Sequence, residues 1–324
     1  MKELEQLNYP DVFFGKNVVI EGDTINIGKG VIIGDDVTII ASNIQIGNDV
    51  KIEYGTTVKG LNSIMSDFIL GDNSLIGFRN QILTPYFSMN DYSQLHNSCL
   101  CSGYKPLKIG YNCWIGQGAI LNCFDELTLG NNVRMGGSQI WTHVASGELL
   151  EGSNFYGSKP VVVKDNVWLM GFGHLITPGV TLAEYSVIMA GSVVSKDTEP
   201  YRTYSGIPAK DVSDKLPAWK KMSFCEKEEM IERFISEFTI QFPQYINSIK
   251  FLKFDTMEEI ISSITNSLDE CLFVCKKADL ELLKDFKGSF FDVSTKTYLK
   301  RRFQIEIDWI KFNIGFRARF IPYQ

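Results

Sequence analysis

A chain of 324 residues with 44% hydrophobic and 22% charged side chains has the make-up of a soluble globular protein with room for two domains. Its net charge of −6 argues against nucleic acid as the main partner, because phosphate binding needs basic surface. The opening MKELEQLNYPDVFF carries acidic residues, and no stretch approaches the roughly 18 apolar residues of a membrane span, so a cytoplasmic location is expected.

In chain order, the first signal is a beat rather than a helix or strand. Aliphatic residues recur at Ile27, Ile33, Ile39, Ile46, Ile52, Val58, Ile64, Leu70, Ile76 and Ile82, and eight of these nine steps are six residues long. Glycine follows directly at Gly28, Gly34, Gly47, Gly71 and Gly77. Neither a 3.6-residue nor a two-residue period yields this pattern. Short flat strands joined by tight turns do, and three such hexapeptides make one coil of about 18 residues with the aliphatic side chains stacked inward. Two stretches break the beat: 84–108 (TPYFSMNDYSQLHNSCLCSGYKPLK) and 145–160 (ASGELLEGSNFYGSKP). Both are polar and are expected to leave the prism as loops, where sites tend to be built. Between them the beat resumes at Ile109, Ile115, Leu121, Leu129, Met135 and Trp141, and after them at Val163, Leu169, Ile176, Leu182, Ile188 and Val194. The fold class expected is mainly β: a parallel β-helix over 1–212, then a small α/β domain over 213–324.

That second domain is announced by two capping boxes, Ser223 with Glu226 and Thr256 with Glu259, each opening an amphipathic run. The apolar runs IKFLKF, CLFVC and SFFDV predict strands, and ADLELLKDF between the last two predicts a helix. The final 29 residues carry seven basic and two acidic side chains among many aromatics. Closure of the small domain is the favoured reading of this tail, and membrane contact is the lesser one. No catalytic signature stands out in the domain, and its role is left open.

Seven cysteines (Cys99, Cys101, Cys113, Cys123, Cys225, Cys271, Cys275) include no CxxC pair and are odd in number, so reduced, packed thiols are expected rather than zinc ligands or disulfides. The histidines are His96, His143 and His174. Their spacing resembles no three-histidine metal site, and no metal is expected.

Residues 159–212 contain NVW, PGV, AGSVVSKD and GIPAK in that order. With the isoleucine–glycine beat, this series resembles the left-handed hexapeptide β-helix acyltransferases, in the branch that acetylates galactosides, maltosides and antibiotics. The resemblance covers about residues 17–212. It implies a left-handed coil, acetyl-CoA as co-substrate, a carbohydrate acceptor, and a homotrimer with active sites between subunits. It implies further that His143, in the loop before NVW, is a general base, with Trp168 near the active-site tryptophan position. Imidazole, with an unperturbed pKa of about 6.5, suits removal of a proton from a sugar hydroxyl as it attacks a thioester. Glu148, or Glu151, is the expected carboxylate partner of the second ring nitrogen. For the co-substrate the resemblance implies Gly171 and Ala190 along the pantetheine arm, and Ser195, Lys196 and Lys210 near the phosphates, where lysines gain charge-assisted hydrogen bonds. Gln117, Asn122, Asp125 and His96 are candidates for the acceptor side. The segment WLMGFGHLITPG holds one residue more than the family spacing, which predicts a bulge near Gly171. The function expected is transfer of acetyl from acetyl-CoA to a sugar hydroxyl of a surface polysaccharide or its precursor. Two rivals are N-acetylation of a nucleotide-linked amino sugar and a non-catalytic β-helix scaffold.

Overall fold

The computed structural model describes residues 9–145, 147–264 and 271–323. The chain divides into two units, residues 1–219 and 220–324, a boundary seven residues later than expected.

The first unit is a left-handed parallel β-helix. Three long sheets of mostly parallel two- to four-residue strands form the faces of a prism, and consecutive strands visit the three sheets in turn. The six-residue beat is the cause, since each inward aliphatic stacks on its counterpart one coil away. Ile33, Ile52, Ile76, Leu95, Ile115, Met135, Leu169 and Ile188 form one such column inside the first sheet. All are essentially inaccessible to solvent. A regular coil holds 19 or 20 residues rather than 18. The surplus sits on the third sheet, whose strands turn two side chains inward per coil, as at Ile44 and Ile46, or Phe87 and Met89.

The stretch 84–108 does not leave the prism. It supplies strands Tyr86–Met89, Gln94–Leu95, Leu100–Gly103 and Leu107–Ile109 in register with the coils on either side. Phe87, Leu95, Cys101 and Leu107 are among its inward residues, so the beat continues here with Phe and Cys alternating with Leu. Two members of the beat are displaced by one. Ile64 is 72% exposed while Met65 is buried, and Ile140 takes the inward place expected of Trp141.

The corners differ. Where the first sheet passes to the second, and the third to the first, the turn residue adopts a left-handed backbone, as at Asp36, Arg79, Asn112, Asn132 and Asn166. Side chains stitch these corners from coil to coil. Asn112 Nδ2 donates to Asn132 Oδ1, and Asn132 Nδ2 to Asn166 Oδ1, each at 3.0 Å. The corner from the second sheet to the third is where the chain grows. It holds the extra residues 60–64, which lengthen that coil to 24. It also holds an antiparallel hairpin, His143–Ala145 against Tyr156–Ser158, in a coil of 34.

The second unit has a five-stranded sheet in the order 249–252, 272–275, 289–292, 297–298, 321–322, parallel except for the pair 289–292 and 297–298. Three helices accompany it: α1 (Phe224–Gln241), α2 (Met257–Ile264) and α3 (Gln304–Asn313). The Ser223–Glu226 capping box is fully formed at α1, and Glu259 N–H donates to Thr256 Oγ1 before α2. The end of the run TMEEIISSITNSL lies outside the described residues. ADLELLKDF is a series of turns rather than a helix, and the Arg301 guanidinium donates to its Leu283 and Phe286 carbonyls. Much of the tail's basic character is spent internally: Arg317 bonds Glu237 and the Phe312 carbonyl, and Arg319 bonds the Ile314 and Gly315 carbonyls. Among the described residues no helix is long and apolar enough to cross a membrane.

Candidate active site

His143 stands at the corner from the second sheet to the third, at the root of the hairpin. Thr142, just before it, is fully buried, and its main-chain N–H donates to Asn122 Oδ1 at 3.2 Å. Asn122 lies in the preceding coil and is itself buried. The same Oδ1 is 2.9 Å from His143 Nδ1. A main-chain N–H can only donate, so the carboxamide atom it meets is oxygen, and the imidazole nitrogen facing that oxygen must carry the hydrogen. Nε2 therefore holds the lone pair. Thr142 Oγ1 is 3.0 Å from both oxygens of Asn122 and accepts the Asp125 N–H at 2.9 Å, which fixes the carboxamide further.

Aromatic rings hold the imidazole plane. Phe124 stacks on it at 3.9 Å between centroids, and Trp141 lies 5.8 Å away, tilted by 51°. Tyr104, one coil further back, meets Phe124 edge-on at 4.8 Å. Sequence reasoning missed all three rings. The signal was one coil length: counting back 19 or 20 residues from His143 reaches Phe124 and then Tyr104.

The partner of Nδ1 is Asn122 and not Glu148. Both Glu148 and Glu151 are exposed near the hairpin tip, where the Glu148 carbonyl accepts the Glu151 and Ser153 N–H groups of a local turn. Asn122, expected on the acceptor side, thus bonds the His143 ring. Asp125 shares the corner.

The other expected residues lie elsewhere on the prism. Gln117 and His96 occupy the corner from the first sheet to the second. His96 packs on Trp114 at 4.8 Å and bonds Gln94 at 3.2 Å; burial pushes its pKa down, partly opposed by Glu53. Trp168 is on the outer face of the first sheet, 44% exposed, in register with Arg134 and Val187. Gly171 and Ala190 stack one coil apart at the first-to-second corner, and a Cβ on Gly171 would sit 3.1 Å from that of Ala190. The extra residue of WLMGFGHLITPG is absorbed here: Gly171 and Gly173 both have left-handed φ, and Phe172 between them is 66% exposed. Ser195 and Lys196 are exposed on the same corner as His143, two coils on, and Lys210 is exposed on the short antiparallel strand that ends the first sheet. One chain thus unites His143 with Asn122 and Asp125, keeps Ser195 and Lys196 two coils along the same corner, and spreads Gln117, His96, Trp168, Gly171, Ala190 and Lys210 over other surfaces.

His174 is a corner residue of the interior. It is 1% exposed, Nδ1 is 2.8 Å from Ser138 Oγ, and burial pushes its pKa down. Among the described residues no three His, Cys, Asp or Glu side chains cluster as metal ligands.

No family model matches the chain. It is 37% identical over 108 residues to a putative acetyltransferase of Schizosaccharomyces pombe, covering 33% of this chain and 50% of that protein. It is 34% identical over 91 residues to the galactoside O-acetyltransferase of Escherichia coli, covering 27% and 44%. The chain spans about half the length of the curated relatives it matches. A solved hexapeptide-repeat acetyltransferase from Vibrio cholerae aligns with 45% of this chain and 71% of that one at 21% identity and a TM-score of 0.31, too loose to add to the sequence matches. In its coils, its motif series and these sequence matches, the chain is similar to the hexapeptide-repeat, left-handed β-helix acetyltransferases. The named activity among the curated matches is galactoside O-acetylation.

Proposed function

We propose that the β-helix unit transfers an acetyl group from acetyl-CoA to a hydroxyl of a carbohydrate, with His143 as general base. The observation that carries this reading is the Nδ1–H bond to Asn122, which leaves Nε2 as acceptor toward solvent-accessible space at a loop-bearing corner. In the reaction, Nε2 takes the hydroxyl proton as the sugar oxygen attacks the thioester carbonyl carbon. The tetrahedral intermediate then collapses, the carbon–sulfur bond breaks, and the imidazolium returns its proton to the departing thiolate. An amide rather than a carboxylate behind the imidazole, and a surround of Phe124, Trp141 and Tyr104, suit a neutral hydroxyl better than an ammonium, and so favour O- over N-acylation. A surface polysaccharide or its precursor is the acceptor this reading adopts.

The spread of Trp168, Gly171, Ala190, Lys210, Gln117 and His96 over surfaces other than the His143 corner supports a homotrimer in which neighbouring chains bring those surfaces to His143. The cytoplasm, which supplies acetyl-CoA and keeps thiols reduced, is the compartment proposed. The test is release of free thiol from acetyl-CoA with a panel of sugars, on the full chain and on His143→Ala. A loss of 10²–10⁴-fold in the variant is expected. Retention of turnover within about threefold would remove the base role, and absence of thiol release with every acceptor would favour a scaffold.

A further inference from the structure

Two of the outward aromatic side chains near His143 flank its imidazole, but none of the three belongs to the β-helix core. The β-helix core is complete without them, since Leu121, Cys123 and Ile140 fill the interior of the same coils. Yet Tyr104, Phe124 and Trp141 stand outside, on the one corner that carries His143. Tyr104 is 48% exposed, and its hydroxyl is 3.4 Å from Asn62 Nδ2 in the 60–64 insertion. The rings are linked in sequence, Tyr104 to Phe124 at 4.8 Å and Phe124 to His143 at 3.9 Å, so the stripe leads along the prism axis to the imidazole. Each coil advances about 4.8 Å, a step comparable with one pyranose ring.

We propose that this stripe is a docking track for an extended, neutral glycan, which lies along the prism and delivers one hydroxyl to His143. This rests on the acetyltransfer reading above and names the acceptor as a chain rather than a single sugar. Aromatic faces carry negative quadrupole charge and attract the polarised C–H faces of sugars, while the Tyr104 hydroxyl and the Asn62 amide serve sugar hydroxyls. Charge on the corner is balanced: Lys108 pairs with Glu126 at 2.6 Å, and Lys105 and Asp125 bring one charge of each sign. Directly beside Tyr104 and Phe124, basic side chains are matched by acidic ones.

The experiment measures thiol release by the full chain with malto-, galacto- and chito-oligosaccharides of one to six units. Binding of the hexamers is followed in parallel by tryptophan fluorescence. In at least one series, kcat/KM should rise about tenfold from one unit to three through a falling KM, which is what one or two aromatic contacts supply. Tyr104→Ala should bring the three-unit to one-unit ratio close to one, Tyr104→Phe should keep most of it, and Tyr54→Ala, at another corner, should keep all of it. A ratio near one in every series that turns over, or equal losses at all lengths in Tyr104→Ala, would overturn the track. So would a Tyr104→Ala variant that changes oligomeric state by sedimentation and not the ratio, or no turnover and no hexamer binding in any series. His143→Ala separates the two ideas. If it stays active while Tyr104→Ala still flattens the ratio, the base role fails and the track stands. If it is inactive yet binds hexamers like the wild type, both stand.

Discussion

The Phe124 ring lies almost flat on the imidazole of His143, 3.9 Å between centroids and 16° from parallel, so the orientation of the imidazole is set by a residue one coil earlier. Replacing Phe124 by Leu keeps apolar contact and loses the flat stacking surface. kcat should fall about tenfold with the fold intact, since misplacing a catalytic group by a small distance is costly. A full-rate Phe124→Leu enzyme would show that the stack is incidental.

Asn122 fixes the tautomer. In Asn122→Ala the Nδ1 hydrogen loses its acceptor, and kcat should fall about 10–100-fold with a smaller change in KM. Asn122→Asp keeps an oxygen for Thr142 N–H and for Nδ1–H but adds a negative charge. That charge favours the imidazolium, so the acid limb of the rate profile should move to higher pH. An unmoved limb would mean that another group is titrating.

Gly103 sits where two coils touch beneath the aromatic stripe. A Cβ there would lie 2.1 Å from the Cys123 carbonyl carbon and oxygen, so the backbone itself must yield. Gly103→Ala should destabilise the first unit by about 1–3 kcal/mol, seen as a lower denaturant midpoint. Because Tyr104 follows directly, preference among acceptors should change as well.

The thiols should divide sharply. Burial pushes Cys99 up to about 11 and Cys113 and Cys275 up to about 12, and raises Cys101 and Cys123 as well. Cys225 is the exposed one. Iodoacetamide at pH 8 should label Cys225 alone in the native protein and all seven cysteines in denaturant, as counted by mass. Rapid native labelling of any second cysteine would contradict the packing.

In the second unit, burial, with the Lys227 and Arg319 cations, pushes the Lys296 ammonium down to about 8, and its stem lies over Phe320. The unfolded chain holds this proton up to about pH 10.4 and the folded one releases it from about 8, so folding becomes more favourable as pH rises between them. Lys296→Met should be more stable than the wild type at pH 7, and the gap between their melting temperatures should narrow from pH 8 to 10. A gap that is constant with pH would show that the ammonium is not penalised.

Much of this molecule was readable before any coordinates. Stacking of equivalent positions makes the six-residue beat, and with it the β-helix, visible in the sequence. The misses around His143 share one cause. A parallel coil puts residues about 19 apart side by side, whereas reading along the chain favours near neighbours. Glu148 is five residues from His143 but is carried off by the hairpin; Asn122 is 21 residues away and touches it. The stretch 84–108 looked polar because its inward positions are Phe87, Leu95, Cys101 and Leu107 among many polar outward ones. ADLELLKDF has helical spacing, but Arg301 satisfies carbonyls that a helix would have used.

Two edges of the prism turn tightly on single residues of left-handed backbone, and the third carries the inserted lengths of chain. Extra chain can be let out there at little entropic cost, since closing a longer loop becomes harder only slowly with length. The scaffold can therefore acquire new recognition surfaces by lengthening a single edge, while the spacing of every rung above and below stays as it was.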